Sequence, residues 1–148
     1  MKGKKYEGFS LIEILVVVAL IIILATITIV AINPAKNFRD TRNAQRSADV
    51  MQILNAVTQY TSEEGHLLGD LGTIPDCPPT GTSAFIGSDV ANVNLTTTLV
   101  EEYIVEIPID PSTGTEANTG YTICQTGAGR VQIDAPSAEN EKVISVRR

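Results

Sequence analysis

The pattern of apolar and polar positions changes twice along the chain. From Ile14 to Ile32 there are 19 consecutive residues without a charge. At about 1.5 Å per residue such a helix is roughly 28 Å long, close to the hydrocarbon thickness of a bilayer. A domain this small has little room to surround so long an apolar rod, so the run predicts a membrane span in place of a core helix. Asn33-Pro34 then interrupts the helix, because proline lacks a backbone donor and its ring clashes with the preceding turn. Asn before Pro also reads as an N-cap followed by Pro at the first helical position, which favours a restart. Beyond it, Val50, Ile53, Leu54, Val57 and Tyr60 recur at steps of three and four. That spacing predicts one apolar stripe on an amphipathic helix, with Gly65 as its stop. One long rod, kinked or restarted at Asn33-Pro34, is expected from about Phe9 to Glu64.

The stripe needs a partner, and the rest of the chain supplies short apolar segments between turn signals. Leu67 to Asp89 is rich in Gly, Pro, Asp and Thr and predicts a long loop. A short helix is expected around Thr96 to Ile104. Tyr121 to Cys124 alternates, Gly127-Ala128-Gly129 turns, and Val131 to Ile133 alternates again, which predicts an antiparallel hairpin. Lys142 to Val146 is a candidate third strand. The expected fold is α+β: a long N-terminal α-helix, membrane-spanning in its first half and amphipathic in its second, packed on a small antiparallel β-sheet. The boundaries are residues 1–8 for a basic leader, 9–32 for the apolar helix, 33–64 for the amphipathic helix, and 65–148 for the loop, short helix and sheet.

Charge sharpens this picture. Lys2, Lys4 and Lys5 precede the oil against Glu7 alone, so the positive-inside rule keeps the N-terminus cytoplasmic. Lys36, Arg39, Arg42 and Arg46 follow it and argue weakly the other way; they are candidates to meet anionic lipid heads or acidic neighbours. From Val50 onward there are four bases and thirteen acids, a net of −9, which favours solubility and discourages generic nucleic-acid binding. A cleaved secretory signal fits poorly, since the run is too long and no A-x-A site follows it. The two cysteines, Cys77 and Cys124, fall in the segment placed outside the membrane. With one histidine and no C-x-x-C pair, a disulfide is the simpler reading than a metal site; two free thiols are the alternative.

One acid, Glu13, sits at the head of the oil, where a charge is costly and wants a partner. Gly8-Phe9-Ser10-Leu11-Ile12-Glu13 followed by Ile14-Leu15-Val16-Val17-Val18-Ala19-Leu20-Ile21 resembles the signal of type IV prepilins, a family of pilins, competence pilins and type II secretion pseudopilins. The resemblance implies cleavage by a membrane prepilin peptidase between Gly8 and Phe9, and N-methylation of the new Phe9 amine. It also implies that Glu13 pairs with the amine of a neighbouring subunit in a staggered filament and sets its register. Ile107-Pro108-Ile109-Asp110-Pro111-Ser112-Thr113-Gly114, followed by Tyr121, resembles a stretch of the major pseudopilins, some of which bind calcium nearby. Asp110 and Glu116 are the only carboxylates in that loop, short of the six to eight oxygens calcium takes unless carbonyls and water complete the set.

The remaining singles carry less. His66 has no Ser or Cys partner that can be placed and reads as a solvated loop residue. Glu63-Glu64 and Glu101-Glu102 read as solvated faces, and Arg147-Arg148 as a solvated tail. Asn94-Leu95-Thr96 fits a glycosylation sequon, a short motif that matches often by chance. No catalytic cluster can be assembled, so an enzyme is not expected, and no cofactor is called beyond the calcium candidate. The expected function is a structural subunit of a type IV pilus-like filament. Its partners would be further copies of itself, prepilin peptidase, an assembly ATPase with its inner-membrane platform protein, and membrane lipid before assembly, with no direct nucleic acid. The expected location is the cytoplasmic membrane with the head extracytoplasmic, then an extracellular filament. Alternatives are a pseudopilin of a type II secretion or competence system, and a monomeric membrane-anchored extracytoplasmic binding module.

Overall fold

A computed structural model describes residues 8–148, so the basic leader lies outside the described residues except for Gly8. The chain forms two compact units, Met1–Phe38 and Arg39–Arg148. In the first, helix α1 runs over Leu11–Ile32 and buries none of its 22 residues. At about 1.5 Å per residue it is long enough to cross a membrane. Its two hydroxyls are satisfied inside the helix, Thr26 Oγ1 donating to the Ile22 carbonyl and Thr28 Oγ1 to that of Leu24, each at 2.8 Å. Neither asks anything of an apolar surrounding.

The break falls at Asn33, which adopts a left-handed backbone with φ +47°. Asparagine tolerates that conformation better than other residues with a side chain. Helix α2, Pro34–Ser62, restarts at once. The Asn33 carbonyl accepts the N–H groups of Lys36 at 3.1 Å and Asn37 at 3.3 Å, and its Oδ1 lies 3.4 Å from the Lys36 nitrogen. One residue therefore closes the first helix and caps the second. α2 ends two residues short of the expected Glu64, before Gly65 turns with φ +92°.

The second unit is built on the buried face of α2. Asn43, Arg46, Val50, Ile53, Val57 and Tyr60 follow each other at steps of three and four, with Asp49, Leu54 and Ala56 beside them. Against this face lies a four-stranded antiparallel sheet in sequence order: β1 Ala84–Phe85, β2 Thr122–Gln125, β3 Val131–Asp134 and β4 Ser145–Arg147. Ile123 pairs with Ala84 on one side and Ile133 on the other, and Ile133 pairs with Val146, so one register row carries the apolar side chains. Ile123 and Ile133 are fully buried with Ile86, Leu95, Leu99 and Tyr121 in the cluster that holds Ile53 and Val57.

The hairpin closes as its glycines suggest, with Gly129 at φ +78° and its N–H on the Thr126 carbonyl at 2.8 Å. Two expectations differ in extent. The short helix, α3, covers only Thr96–Leu99, because Val100 turns extended and pairs with Ile104 across the left-handed Glu101. The last strand begins at Ser145, since Asn140 and Glu141 both take φ +57° and spend the preceding residues on a turn. Strand β1 and a 3₁₀ turn over Leu68–Leu71 lie inside the segment expected to be loop alone.

Cys77 and Cys124 are joined by a disulfide that closes a separation of 47 residues and ties the long loop to β2. Beside it the Cys77 N–H donates to the Gln125 carbonyl at 2.8 Å. Replacing both cysteines by alanine is expected to lower head stability by about 2–4 kcal/mol, from the returned freedom of the unfolded loop. Denaturant unfolding of the full chain in detergent measures it.

Candidate assembly site

The residues singled out at the N-terminus stand together at the start of α1. Ser10 is extended, with φ −75° and ψ 144°, and its carbonyl accepts from the Glu13 and Ile14 nitrogens at 3.1 and 3.2 Å. Glu13 lies in the first turn, where the unpaired N–H groups of a helix favour a negative charge. Phe9 is 80% exposed. A Cβ added at Gly8 would meet nothing within 4 Å. Packing among the described residues therefore does not require glycine there.

The other place where chemistry gathers is the buried end of α2. Arg46 is fully buried, and its guanidinium donates to Asp110 through Nε at 2.6 Å and Nη2 at 3.2 Å. Nη1 reaches Glu139 at 3.0 Å and Asn43 Oδ1 at 3.1 Å, and Nη2 also donates to Ser112 Oγ at 2.6 Å. Asp110 Oδ1 accepts from the backbone and hydroxyl of both Ser112 and Thr113. The loop closes on this carboxylate so tightly that glycine is needed behind it. At Gly120, with φ +84°, an added Cβ would come within 2.8 Å of the Asp110 Cβ.

Glu139 is the second acid in this network. Arg42 grips it through Nε at 2.7 Å and Nη2 at 2.5 Å. Asn43 pairs with the backbone of the same residue, donating to its carbonyl at 2.7 Å and accepting from its N–H at 2.9 Å. The β3–β4 connection is thereby fastened to the first turns of α2 that belong to the head. A neighbouring pair, Tyr121 Oη donating to Asp49 Oδ2 at 2.6 Å, anchors the strand end to the same helix face.

These contacts set the acid–base balance. Burial alone would raise the Asp110 carboxyl, but donation from Arg46, Ser112 and Thr113 outweighs it and holds the group well below the usual carboxylate range. Hydrogen bonding from Arg42, then from Arg46, depresses Glu139 to about 2. Asp49 moves the other way, raised by burial despite its bond from Tyr121, whose own hydroxyl burial pushes far up.

Arg46 differs from the expectation that grouped it with Lys36, Arg39 and Arg42 as bases to meet anionic lipid heads or acidic neighbours: it is fully buried inside the head. The signal was present in the spacing: Arg46 and Asn43 continue the stripe of Val50, Ile53 and Val57 by four and then three residues. Asp110 and Glu116 do not make a free carboxylate pair. Asp110 is taken by Arg46 and its own loop, Glu116 is exposed, and no group of three or more metal-ligating side chains occurs among the described residues. His66 is not merely solvated: its ring stacks on Tyr60 at 4.3 Å, and Tyr103 donates to Glu63 at 2.7 Å beside it. Glu64, Glu101 and Glu102 are exposed as expected, whereas Arg148 donates to Asn55 at 3.2 Å. Asn94 is half-buried, its Oδ1 accepting the Thr96 N–H at 3.0 Å, and Leu95 inside the sequon is fully buried.

Arg46→Met leaves a carboxylate buried without its cation, so a loss of about 3–5 kcal/mol is expected, with Arg46→Met/Asp110→Asn recovering part of it. Chemical denaturation of the full chain in detergent checks both. Acid should do the same job more gently. The folded Glu139 releases its proton at lower pH than the unfolded one, so its contribution is complete above pH 4.5 and is lost as the pH falls through about 2. Asp110 adds to this below its ordinary value of 3.8, while Asp49 gives a smaller opposite trend as it takes up a proton on acidification. A stability–pH profile for wild type and Glu139→Gln checks the window, the variant showing the shallower acid limb.

Compared with known proteins, the chain matches the family model of the prokaryotic N-terminal methylation motif over residues 3–29. Searches of curated proteins and of solved structures found no match. The matched segment takes in Gly8, Phe9, Glu13 and most of α1, and leaves the head outside it. Proteins carrying this signal are structural subunits that self-assemble after processing by prepilin peptidase. The chain thus carries, over residues 3–29, the prokaryotic N-terminal methylation motif, the class III signal found in type IV pilins and pseudopilins.

Proposed function

We propose that the chain is a structural subunit of a type IV pilus-like filament. On this reading prepilin peptidase cuts after Gly8 and the new Phe9 amine is methylated. An assembly ATPase with its platform protein then draws the subunit from the membrane into a helical polymer of itself. The observation that carries the reading is the combination at the N-terminus. A helix of 22 apolar-rich residues with nothing buried starts three residues after an unencumbered glycine and holds a single acid in its first turn.

Burial of such helices against one another supplies the association free energy, at about 25 cal/mol per Å² of apolar surface removed from contact with water. In lipid the drive is weaker, and packing and polar pairing decide the arrangement. Glu13 is the polar partner on the chain: an amine at Phe9 of a neighbour would neutralise it and fix the stagger, since other registers leave both charges unpaired in oil. The N-terminus then faces the cytoplasm, the head lies outside, and the finished polymer is extracellular. Within the head, Arg46 supplies the cation for Asp110.

A pseudopilin of a secretion or competence system uses the same machinery in a shorter fibre and is the second reading. A monomeric anchored module would share the span and lack the polymer. Glu13→Ala is expected to leave membrane insertion intact and to remove fibres seen by electron microscopy. Gly8 replaced by Leu should leave the precursor uncut, with Met1 in place of methylated Phe9 at the N-terminus by mass spectrometry. Abundant normal fibres from the Glu13 variant would rule out the register role.

A further inference from the structure

Four bases follow the span, and the structure sorts them into two kinds. Arg46 and Arg42 are consumed by Asp110 and Glu139 inside the head. Lys36 and Arg39 are exposed, and neither belongs to an ion pair among the described residues. Between them Phe38 is 65% exposed. All three lie in the first turns of α2, which starts two residues after the last residue of α1. Arg39 is about 8 Å along α2 from Pro34, a span comparable to one headgroup layer. The acid next to them, Asp40, is turned to the head and accepts from Asn140 at 2.9 Å.

We propose that Lys36, Phe38 and Arg39 form a collar that binds anionic phospholipid where α1 leaves the bilayer. Bases with an amphipathic or aromatic neighbour at the end of an apolar helix match a layer that is charged on its surface and apolar beneath. Lys36 and Arg39 would meet phosphate oxygens as point charge and fork respectively, and the Phe38 ring would lie at the glycerol level. An acidic face on a second copy offers charge but nothing for an exposed aromatic ring, which is why lipid is favoured. One effective base at an anionic surface corresponds to about a fivefold preference. The collar rests on α1 spanning a membrane and not on filament assembly, so the two readings fail separately.

The chain contains no tryptophan, so Phe38→Trp places a single reporter in the collar. The full chain carrying it is reconstituted in mixed vesicles where either phosphatidylglycerol or phosphatidylcholine bears bromine, at equal mole fraction. The expected result is quenching by both, with a relative association constant about fivefold in favour of the glycerol lipid. That preference should fall toward one in the Lys36→Gln/Arg39→Gln background and in high salt, with circular dichroism unchanged. Absence of quenching, equal quenching by the two lipids, or a preference that survives the double substitution would each overturn the proposal. So would an effect of that substitution confined to self-association, read by energy transfer between labelled copies, which would assign the bases to a second copy instead.

Discussion

An apolar helix with no buried residue cannot rest in water, and every other feature of α1 is arranged around that constraint. Its hydroxyls turn inward to carbonyls one turn back, so the surface it offers is oil throughout. Its polar content is concentrated at its two ends, Glu13 in the first turn and Asn33 at the close. A bilayer satisfies this surface one way and a bundle of identical helices another. The acid separates the two, because a lone carboxylate is tolerated at an interface, whereas in a bundle it needs a specific partner. On the proposed reading, cleavage after Gly8 would create such a partner at the same end of the same helix.

The head solves a different problem: how to begin a packed core only a few residues after an apolar helix long enough to cross a membrane. It does so with a polar network in place of more apolar surface. Arg46 continues the apolar stripe of α2 as a buried cation and draws two separate segments to it: the loop of Asp110 and Ser112, and Glu139 on the β3–β4 connection. A well-packed apolar residue would be at least as stabilising at such a position. The ion pair instead fixes which loop docks where, since each of the guanidinium's donors has one acceptor in reach. Tyr121 and Asp49 repeat the device one turn further along. The Asp110 pair depends on Gly114 and Gly120, which let the loop close around the acid.

The elements carried by strong periodicity were legible in the sequence. These are the apolar run, its break at Asn33-Pro34, the stripe from Val50 to Tyr60, the hairpin around Gly127 to Gly129, and the α+β class. What escaped is set by contacts distant in sequence. Strand β1 is two residues long and exists because Ala84 and Phe85 happen to meet Ile123 and Thr122, which no local propensity foretells. The Arg46–Asp110 pair spans 64 positions, and charge alone grouped Arg46 with the bases expected to meet lipid heads or acidic neighbours. Its phase on the helix pointed the other way. Where charge and periodicity disagree, the periodicity of a long helix was the better guide here. The signal at Gly8 to Glu13 was legible because its residues stand in linear order, inside the motif matched over residues 3–29.

The central claim is that α1 ends in contact with other copies of itself, with Glu13 matched to a neighbour's amine. A reconstruction of purified fibres at side-chain resolution tests it most directly. The account predicts α1 helices bundled at the fibre axis, with the Glu13 carboxylate within about 4 Å of the Phe9 nitrogen of an adjacent subunit. Fibres whose axis is built from anything other than α1, or whose Glu13 carboxylates face no amine, would contradict it.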